Sequence, residues 1–260
     1  MKNRFQKIFI FLLVGLLLSA CSKQQSSSEQ DQIVEENESQ IVSGACGVSY
    51  FPILPDKIWT YRMLQENNLY VENKIWYEEI TDNSFTWKQQ MDGDPPITSE
   101  AKWTCSEDGL VSTDFVSTNI PMVMQEMGYD YDYQIETLDF SGITFPANDQ
   151  WFVGSQWTGS WNVESDITVE DFGLVHAVIH VTMNNVIGAE EPVTVPLGSY
   201  DKAMRVDSTM QLDISIEAQG MTLPAVKGEY TMTSWFVQGI GMVKQTSDDA
   251  DFSMELASLE

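Results

Sequence analysis

Apolar and polar residues alternate along most of the chain from residue 45 onwards. The longest run has an apolar face over residues 204–216 that a single polar residue, Ser208, interrupts. Shorter runs with the same period of two lie over residues 69–77, 84–91, 100–105, 175–183, 230–236 and 252–256. Strands with one apolar face and one polar face are typical of antiparallel sheets. The pattern therefore predicts a set of roughly ten such strands.

Turn signals separate these runs. They lie at residues 92–96, 107–109 and 239–241, and they favour hairpins between sequential strands. The predicted fold class is mainly β, with a strongly curved antiparallel sheet or a partly open β-barrel. The one helix that we expect is a short connection from Pro121 to about Met127, with proline at its first position.

A different pattern occupies the beginning of the chain. Lys2, Arg4 and Lys7 precede an apolar stretch from Ile8 to Leu18, which is the order of a secretory signal. As a helix, this stretch would be roughly 16 Å long, about half of the hydrocarbon core of a bilayer. We therefore expect a leader that is cleaved and not a permanent membrane span.

The residues at the expected cleavage site resemble a lipobox. Leu18-Ser19-Ala20-Cys21 matches the motif of bacterial lipoproteins. The resemblance implies a signal peptide over residues 1–20 and a Cys21 thiol acylated with fatty acids such as palmitate. Several acyl chains form a stable anchor, because each buried methylene contributes about 0.8 kcal/mol. The alternative is an ordinary secretory signal that happens to be followed by a cysteine.

Lipid on Cys21 would hold the protein outside the cytoplasm, at the cell surface or on the periplasmic side of a bacterial membrane. Residues 21–44 are rich in serine, glutamine and acids, a composition that cannot offset the entropy of ordering. We predict a disordered tether there and a single β domain over residues 45–260.

The chain is strongly acidic. It has 39 Asp and Glu against 13 Lys and Arg, and its formal net charge at pH 7 is −26. A nucleic-acid partner is disfavoured, because phosphate binding needs a basic face. The same charge repels anionic headgroups, so membrane association is expected to depend on the lipid on Cys21.

The chain has three cysteines, and Cys46 and Cys105 remain if Cys21 carries lipid. An oxidising compartment favours a disulfide between them. The alternative is a pair of buried thiols, because two cysteines without further ligands do not predict a metal site.

Motifs of catalysis, of cofactor binding and of metal binding are absent from the sequence, so we expect a protein that is not an enzyme. His176 and His180 are the only histidines. They are about 13 Å apart along a strand, too far for both to bind one metal, and we interpret them as half-exposed strand residues. Acidic clusters at residues 92–94, 130–132 and 248–251 lack EF-hand spacing and are interpreted as solvated loops.

Three groups of segments resemble recurring elements of uncharacterised bacterial lipoproteins. They are Tyr50-Phe51-Pro52 with Trp59-Thr60-Tyr61, residues 193–200 with Ala203 and Val206, and residues 235–244. Those proteins are similar in turn to the curved sheet of the LolA and LolB lipoprotein carriers and of DUF3108-like domains. The resemblance implies a concave apolar sheet covered by a short helical connection, and it carries no catalytic signature.

On such a fold, the resemblance implies a binding or carrier module for an apolar small molecule or a lipid. Candidate ligand-binding residues are Trp87, Trp103, Met122, Met124 and Met127, because aromatic and methionine side chains suit apolar ligands. Packing in a wide β core is the alternative for all five. Two other functions stay open: a structural or protein-interaction lipoprotein with an envelope protein as its partner, and a carbohydrate-binding module.

Overall fold

The computed structural model describes residues 44–65, 69–93, 96–117, 132–169, 173–247 and 252–260. Within these ranges the chain forms one antiparallel sheet of fourteen strands. The strands are β1 Trp59–Gln65, β2 Leu69–Glu78, β3 Ser84–Met91, β4 Ile97–Ser106, β5 Gly109–Val111, β6 Asp132–Gly142, β7 Phe145–Pro146, β8 Gln156–Val169, β9 Gly173–Val195, β10 Gly198–Ala218, β11 Met221–Thr222, β12 Val226–Val237, β13 Gly241–Ser247 and β14 Phe252–Leu259. The predicted fold class is confirmed.

Neighbouring strands follow the order β6-β8-β9-β10-β12-β13-β14-β1-β2-β3-β4-β5-β7, and β11 pairs with β10. The strands β6 and β7 are therefore the two edges, and the sheet is not closed into a barrel. The sequence predicted about ten strands. The additional β5, β7 and β11 have only two or three residues, too few to show a period of two.

Helical structure is sparse in the described part of the chain. Asn148–Gln150 form a 3₁₀ turn, and residues 115–117 are helical. The predicted helix over residues 121–127 lies outside the described residues. No helix within the described ranges is long and apolar enough to cross a membrane.

The longest strands explain the longest alternation in the sequence. The strand β9 has 23 residues and β10 has 21, and they pair from Gly198 with Val195 to Ala218 with Val175. Buried and more exposed residues alternate along most of both strands. We call the face with the buried side chains the inner face and the opposite face the outer face.

The inner face carries three apolar clusters. The aromatic core lies near the start of the domain and includes Phe85, Trp103, Trp151, Trp157 and Phe236. The aliphatic face covers the far halves of β8, β9 and β10, with Val163, Ile167, Val175, Ile179, Val181, Leu212, Ile214 and Ile216. A third cluster includes the inward-facing side chains of β1, β13 and β14.

A buried polar pair separates the aromatic core from the aliphatic face. Ser208, the residue that interrupts the apolar run, donates a hydrogen bond from its hydroxyl to Asn185 Oδ1 at 2.7 Å. Both residues are 8% exposed. A buried hydroxyl without a partner costs about 1–3 kcal/mol, so the cross-strand pairing explains why the inner face accepts Ser208.

The predicted disulfide is confirmed. Cys46 and Cys105 are bonded, with their Cα atoms 5.0 Å apart, and Cys46 is fully buried in the aromatic core. Cys105 lies in β4, so the bond fixes the first described residues against a strand well inside the domain.

Replacing both Cys46 and Cys105 with alanine removes this cross-link. We expect the free energy of unfolding to fall by about 4 kcal/mol, because the unfolded chain regains the entropy of a closed loop of roughly sixty residues. Guanidinium unfolding of the two oxidised proteins measures the difference. Added reductant should destabilise the parent and leave the double variant unchanged; equal stability of the two oxidised proteins would contradict the prediction.

Candidate functional site

The aromatic core is filled by the side chains of the chain itself around Trp103. The Trp103 ring lies 5.3 Å from the Phe51 ring, 5.6 Å from Phe85 and 6.0 Å from Phe145, measured between centroids. Only 2% of Trp103 is exposed. Trp87 is half-buried and packs at the margin of the same cluster. Both predicted ligand residues therefore contact the core, and their binding of a ligand stays a prediction.

The aliphatic face has a different environment. Its packing partners among the described residues come mostly from the same strands and from the adjacent β6 and β12. Phe115, Val116 and Leu223 are the partners that lie outside strands. Within the described ranges, strands β1 to β5 supply none of the apolar side chains packed on this face. The side chains of the aliphatic face are nonetheless buried, with exposed fractions from 0% at Val163 and Ile214 to 7% at Val175.

Two buried hydroxyls border the aliphatic face. Ser165 is 1% exposed and lies between Val163 and Ile167 along β8, opposite Ala177 on β9. Ser112 is fully buried, and its carbonyl accepts a hydrogen bond from Trp161 Nε1 at 2.9 Å. Neither Oγ has a hydrogen-bond partner in the described part of the chain. Each of them is therefore a buried polar group whose hydrogen-bonding capacity is not used within the described residues.

The outer face carries a polar groove over β9, β10 and β12. Its volume is about 350 Å³, and its lining includes Glu191, Arg205, Asp207, Thr233 and Trp235. Arg205 Nη2 lies 3.0 Å from Asp207 Oδ2, and its Nη1 lies 3.4 Å from Glu191 Oε2. Trp235 Nε1 donates to Glu191 Oε1 at 2.8 Å, and Thr233 Oγ1 donates to Asp207 Oδ1 at 3.3 Å. All four carboxylate oxygens are therefore occupied within the protein.

A glycine makes this network possible. Gly188 lies at the irregularity where Arg205 pairs with Ala189 and Val206 pairs with Ile187. A Cβ atom at residue 188 would collide with Asp207 Oδ2 and would lie 2.8 Å from Arg205 Nη2. The Arg205 side chain thus crosses β9 over a residue without a side chain. Because the charges of Arg205, Glu191 and Asp207 pair with one another, we assign this groove a stabilising role. The carbohydrate-binding function considered for exposed tryptophans stays a prediction.

The two histidines lie on the outer face of β9, where His176 is half-buried and His180 is exposed. His176 Nδ1 is 2.8 Å from Asp166 Oδ1, and its Nε2 is 3.3 Å from Glu164 Oε1. His180 Nδ1 is 2.7 Å from the Asn162 side-chain oxygen. The hydrogen bond to Asp166 raises the pKa of His176, with further contributions from the charges of Asp166, Glu164 and Glu217 that outweigh partial burial. The described residues contain no group of three or more ligands arranged to hold a metal ion.

Four of the residues predicted to form sites lie outside the part of the chain that the structure describes. They are Cys21, Met122, Met124 and Met127. Sequence reasoning did not select Ser165, although a signal was present: it is the one polar residue in the alternating inner-face series Trp161, Val163, Ser165 and Ile167. The network around Arg205 had no such signal, because its members lie on three different strands.

No protein-family model and no curated protein matches this chain. A candidate lipoprotein from Parabacteroides distasonis ATCC 8503 matches its structure with a TM-score of 0.50 at 13% identity, over 82% of this chain and 99% of that one. A candidate exported protein with a YmcC-like fold from Bacteroides fragilis NCTC 9343 has a TM-score of 0.48 at 12% identity and the same coverage.

At 13% identity, the likeness to the Parabacteroides protein shows a shared fold alone. The comparisons do not confirm the resemblance to LolA, LolB and DUF3108-like domains, which stays a prediction.

Replacing His176 with glutamine tests the ion pairs on the outer face. The folded-state pKa of His176 is raised above the ordinary value of 6.5, so the stabilisation is complete below the unfolded pKa and is lost as pH rises through the folded pKa. We expect the parent to exceed His176→Gln in stability by on the order of 0.5 kcal/mol near pH 5 and by less near pH 9. Urea unfolding across this range measures the difference.

His180→Gln is the matched control, because His180 contacts the neutral Asn162 amide. The prediction fails if the stability difference between parent and His176→Gln is the same at both ends of the pH range.

Proposed function

We propose that the mature protein is a lipoprotein, anchored outside the cytoplasm by acyl chains on Cys21, whose β domain binds an apolar ligand on the aliphatic face. The proposed role is binding without catalysis. The observation that carries the ligand proposal is the aliphatic face itself, which contains the buried Ser165 hydroxyl without a hydrogen-bond partner among the described residues.

The composition of this face suits a mostly apolar molecule with one polar group. Ligand sites are predominantly hydrophobic, with a few polar groups that fix orientation. Ile135, Ala177 and Ile216 surround Ser165 on the adjoining strands. A ligand oxygen that accepted a hydrogen bond from Ser165 would offset the cost of about 1–3 kcal/mol that a buried unpaired hydroxyl carries. A fatty acid or a related acyl compound combines these two properties.

Two observations support the membrane anchor. The first is the lipobox at residues 18–21, in register with a leader that is too short to span a bilayer. The second is the likeness to a structure described as a candidate lipoprotein, which covers 82% of this chain. The match concerns the fold alone, so the lipid on Cys21 is tested chemically.

Ser165→Ala tests the ligand site. A soluble protein in which an ordinary secretion signal replaces residues 1–21 should bind a fluorescent fatty acid saturably, as measured by titration of probe fluorescence. We expect Ser165→Ala to weaken binding by about threefold to tenfold, the effect of one neutral hydrogen bond, and to leave the free energy of unfolding unchanged or slightly raised.

Ser160→Ala is the matched control. Ser160 is on the same strand but on the outer face, where its hydroxyl lies 3.2 Å from Thr182 Oγ1, so this change should not affect probe binding. Absence of saturable binding by the parent protein would rule out the apolar-ligand function. Equal affinities of the parent and Ser165→Ala would remove Ser165 from the site.

Cys21→Ser tests the anchor independently of the ligand. We expect the parent to incorporate radiolabelled palmitate and to fractionate with membranes, and we expect the variant to lose both properties, because no other residue of the predicted lipobox can carry a thioether-linked lipid. If Cys21→Ser fractionates with membranes like the parent, and neither protein is labelled, the anchor proposal is wrong.

A further inference from the structure

Phe152 and Val153 are exposed side by side on a rigid turn. Their exposed fractions are 56% and 53%, whereas the preceding Trp151 is 6% exposed. The Ser155 amide donates to the Phe152 carbonyl at 3.0 Å, and the Gly154 amide donates to the Ile187 carbonyl at 2.7 Å. Gly154 has a φ of 94°, which glycine adopts without strain. The turn therefore holds two large apolar side chains outward from a backbone that is bonded to β9.

The base of this turn is bonded to the first described residues of the domain. Asn148 Nδ2 donates to the Gly47 carbonyl at 2.5 Å, and Asn148 Oδ1 accepts from the Ser49 amide at 2.7 Å. The Tyr50 ring stacks on Trp151 with centroids 4.7 Å apart. The Gly47 amide in turn donates to the Gly44 carbonyl at 3.0 Å. The exposed turn and the point where the tether joins the domain are thus adjacent to each other.

This placement has a consequence if the proposed anchor on Cys21 is correct, and the inference rests on that proposal. The 23 residues from Ser22 to Gly44 have the composition of a disordered segment. A flexible chain of this length has a mean end-to-end distance of roughly 25–30 Å. The anchor would therefore keep the turn at a high effective concentration next to the bilayer, so that even a weak contact is populated.

Exposure alone does not single out this turn. Leu174 and Met221 are each 60% exposed, and both lie far from Ile187, near the β10–β11 connection. Leu174 is thirteen residues along β9 from Ile187, which corresponds to about 43 Å. The apolar residues at that end are equally exposed but lie far from the tether, and this difference makes them a matched control.

We infer that the Phe152–Val153 turn is a membrane contact that inserts its two side chains into the interfacial region of the bilayer that carries the anchor. The partner is the apolar part of a lipid surface and not its anionic headgroups, because Asp149 lies in the base of the turn. Carboxylates in this position repel anionic lipids. The contact depends on apolar insertion and on the anchor, and it orients the domain with the segment of β9 from Ile187 to Gly173 leading away from the membrane.

Site-directed spin labelling of the lipidated protein in phosphatidylcholine vesicles tests this orientation. Asp149→Cys places a label beside the turn without changing Phe152 or Val153, and Leu174→Cys places one at the far end. Cys46 and Cys105 are bonded to each other, so the introduced thiol is the one that reacts. Collision of the label with oxygen and with a water-soluble nickel chelate reports its depth.

We expect the label at residue 149 to lie within about 10 Å of the headgroup boundary, and we expect the label at residue 174 to be fully accessible to the nickel chelate. Adding Phe152→Ser and Val153→Ser to Asp149→Cys should make the label at residue 149 accessible to the nickel chelate. The protein should still float with the vesicles, because its acyl chains are unchanged.

Equal accessibility of the two labels, or a label at residue 149 that the serine substitutions do not move, would overturn the membrane contact while leaving the anchor intact. A protein that does not float with the vesicles would show instead that the proposed anchor is wrong, and the inference would fall with it. The two failures are therefore distinguished by flotation.

Discussion

The pairing of β9 with β10 is the constraint on which the rest of the structure depends. Their shared inner face passes from the aromatic core, through the Asn185–Ser208 pair, to the aliphatic face. A shift of one residue would turn every buried side chain of one strand to solvent. The irregularity at Gly188 fixes this register, because the Arg205 side chain lies across it and binds carboxylates on both strands. The pairing of β9 with β10 therefore determines the geometry of both the core and the candidate site.

Much of the fold could be predicted from the sequence because its information is local. Alternation over residues 204–216 requires only that one side of a strand be buried, and the turns at residues 107–109 and 239–241 connect neighbours in the chain. The order of the strands is not local information. The strand β1 pairs with β14, near the other end of the domain, and two-residue strands such as β7 have no pattern to detect. The disulfide was predictable because only two cysteines were left to pair.

Alternation along a strand does not predict the hydrogen-bond partners of the residues in the candidate site. Ser165 and Ser208 give the same signal, a polar residue in an apolar inner-face series, but their surroundings differ. Ser208 lies beside Asn185 and is satisfied, whereas Ser165 lies beside Ala177 and has no partner in the described residues. Alternation likewise places Trp103 on the inner face without showing that phenylalanine rings fill the space around it. Which residues face inward follows from the sequence, but the space and partners that they find depend on distant strands.

The length of β9 separates the two proposed activities of the domain. The Phe152–Val153 turn is bonded to Ile187, and the aliphatic face extends along the same strand to Val175, twelve residues or about 40 Å away. A domain oriented by its turn at the membrane would therefore hold the far end of the aliphatic face well beyond the headgroups. A ligand would reach that end from the aqueous side, or from another protein, and not by sliding directly out of the anchoring bilayer. Tethering and ligand binding are in this arrangement independent, because one rigid pair of strands keeps them apart.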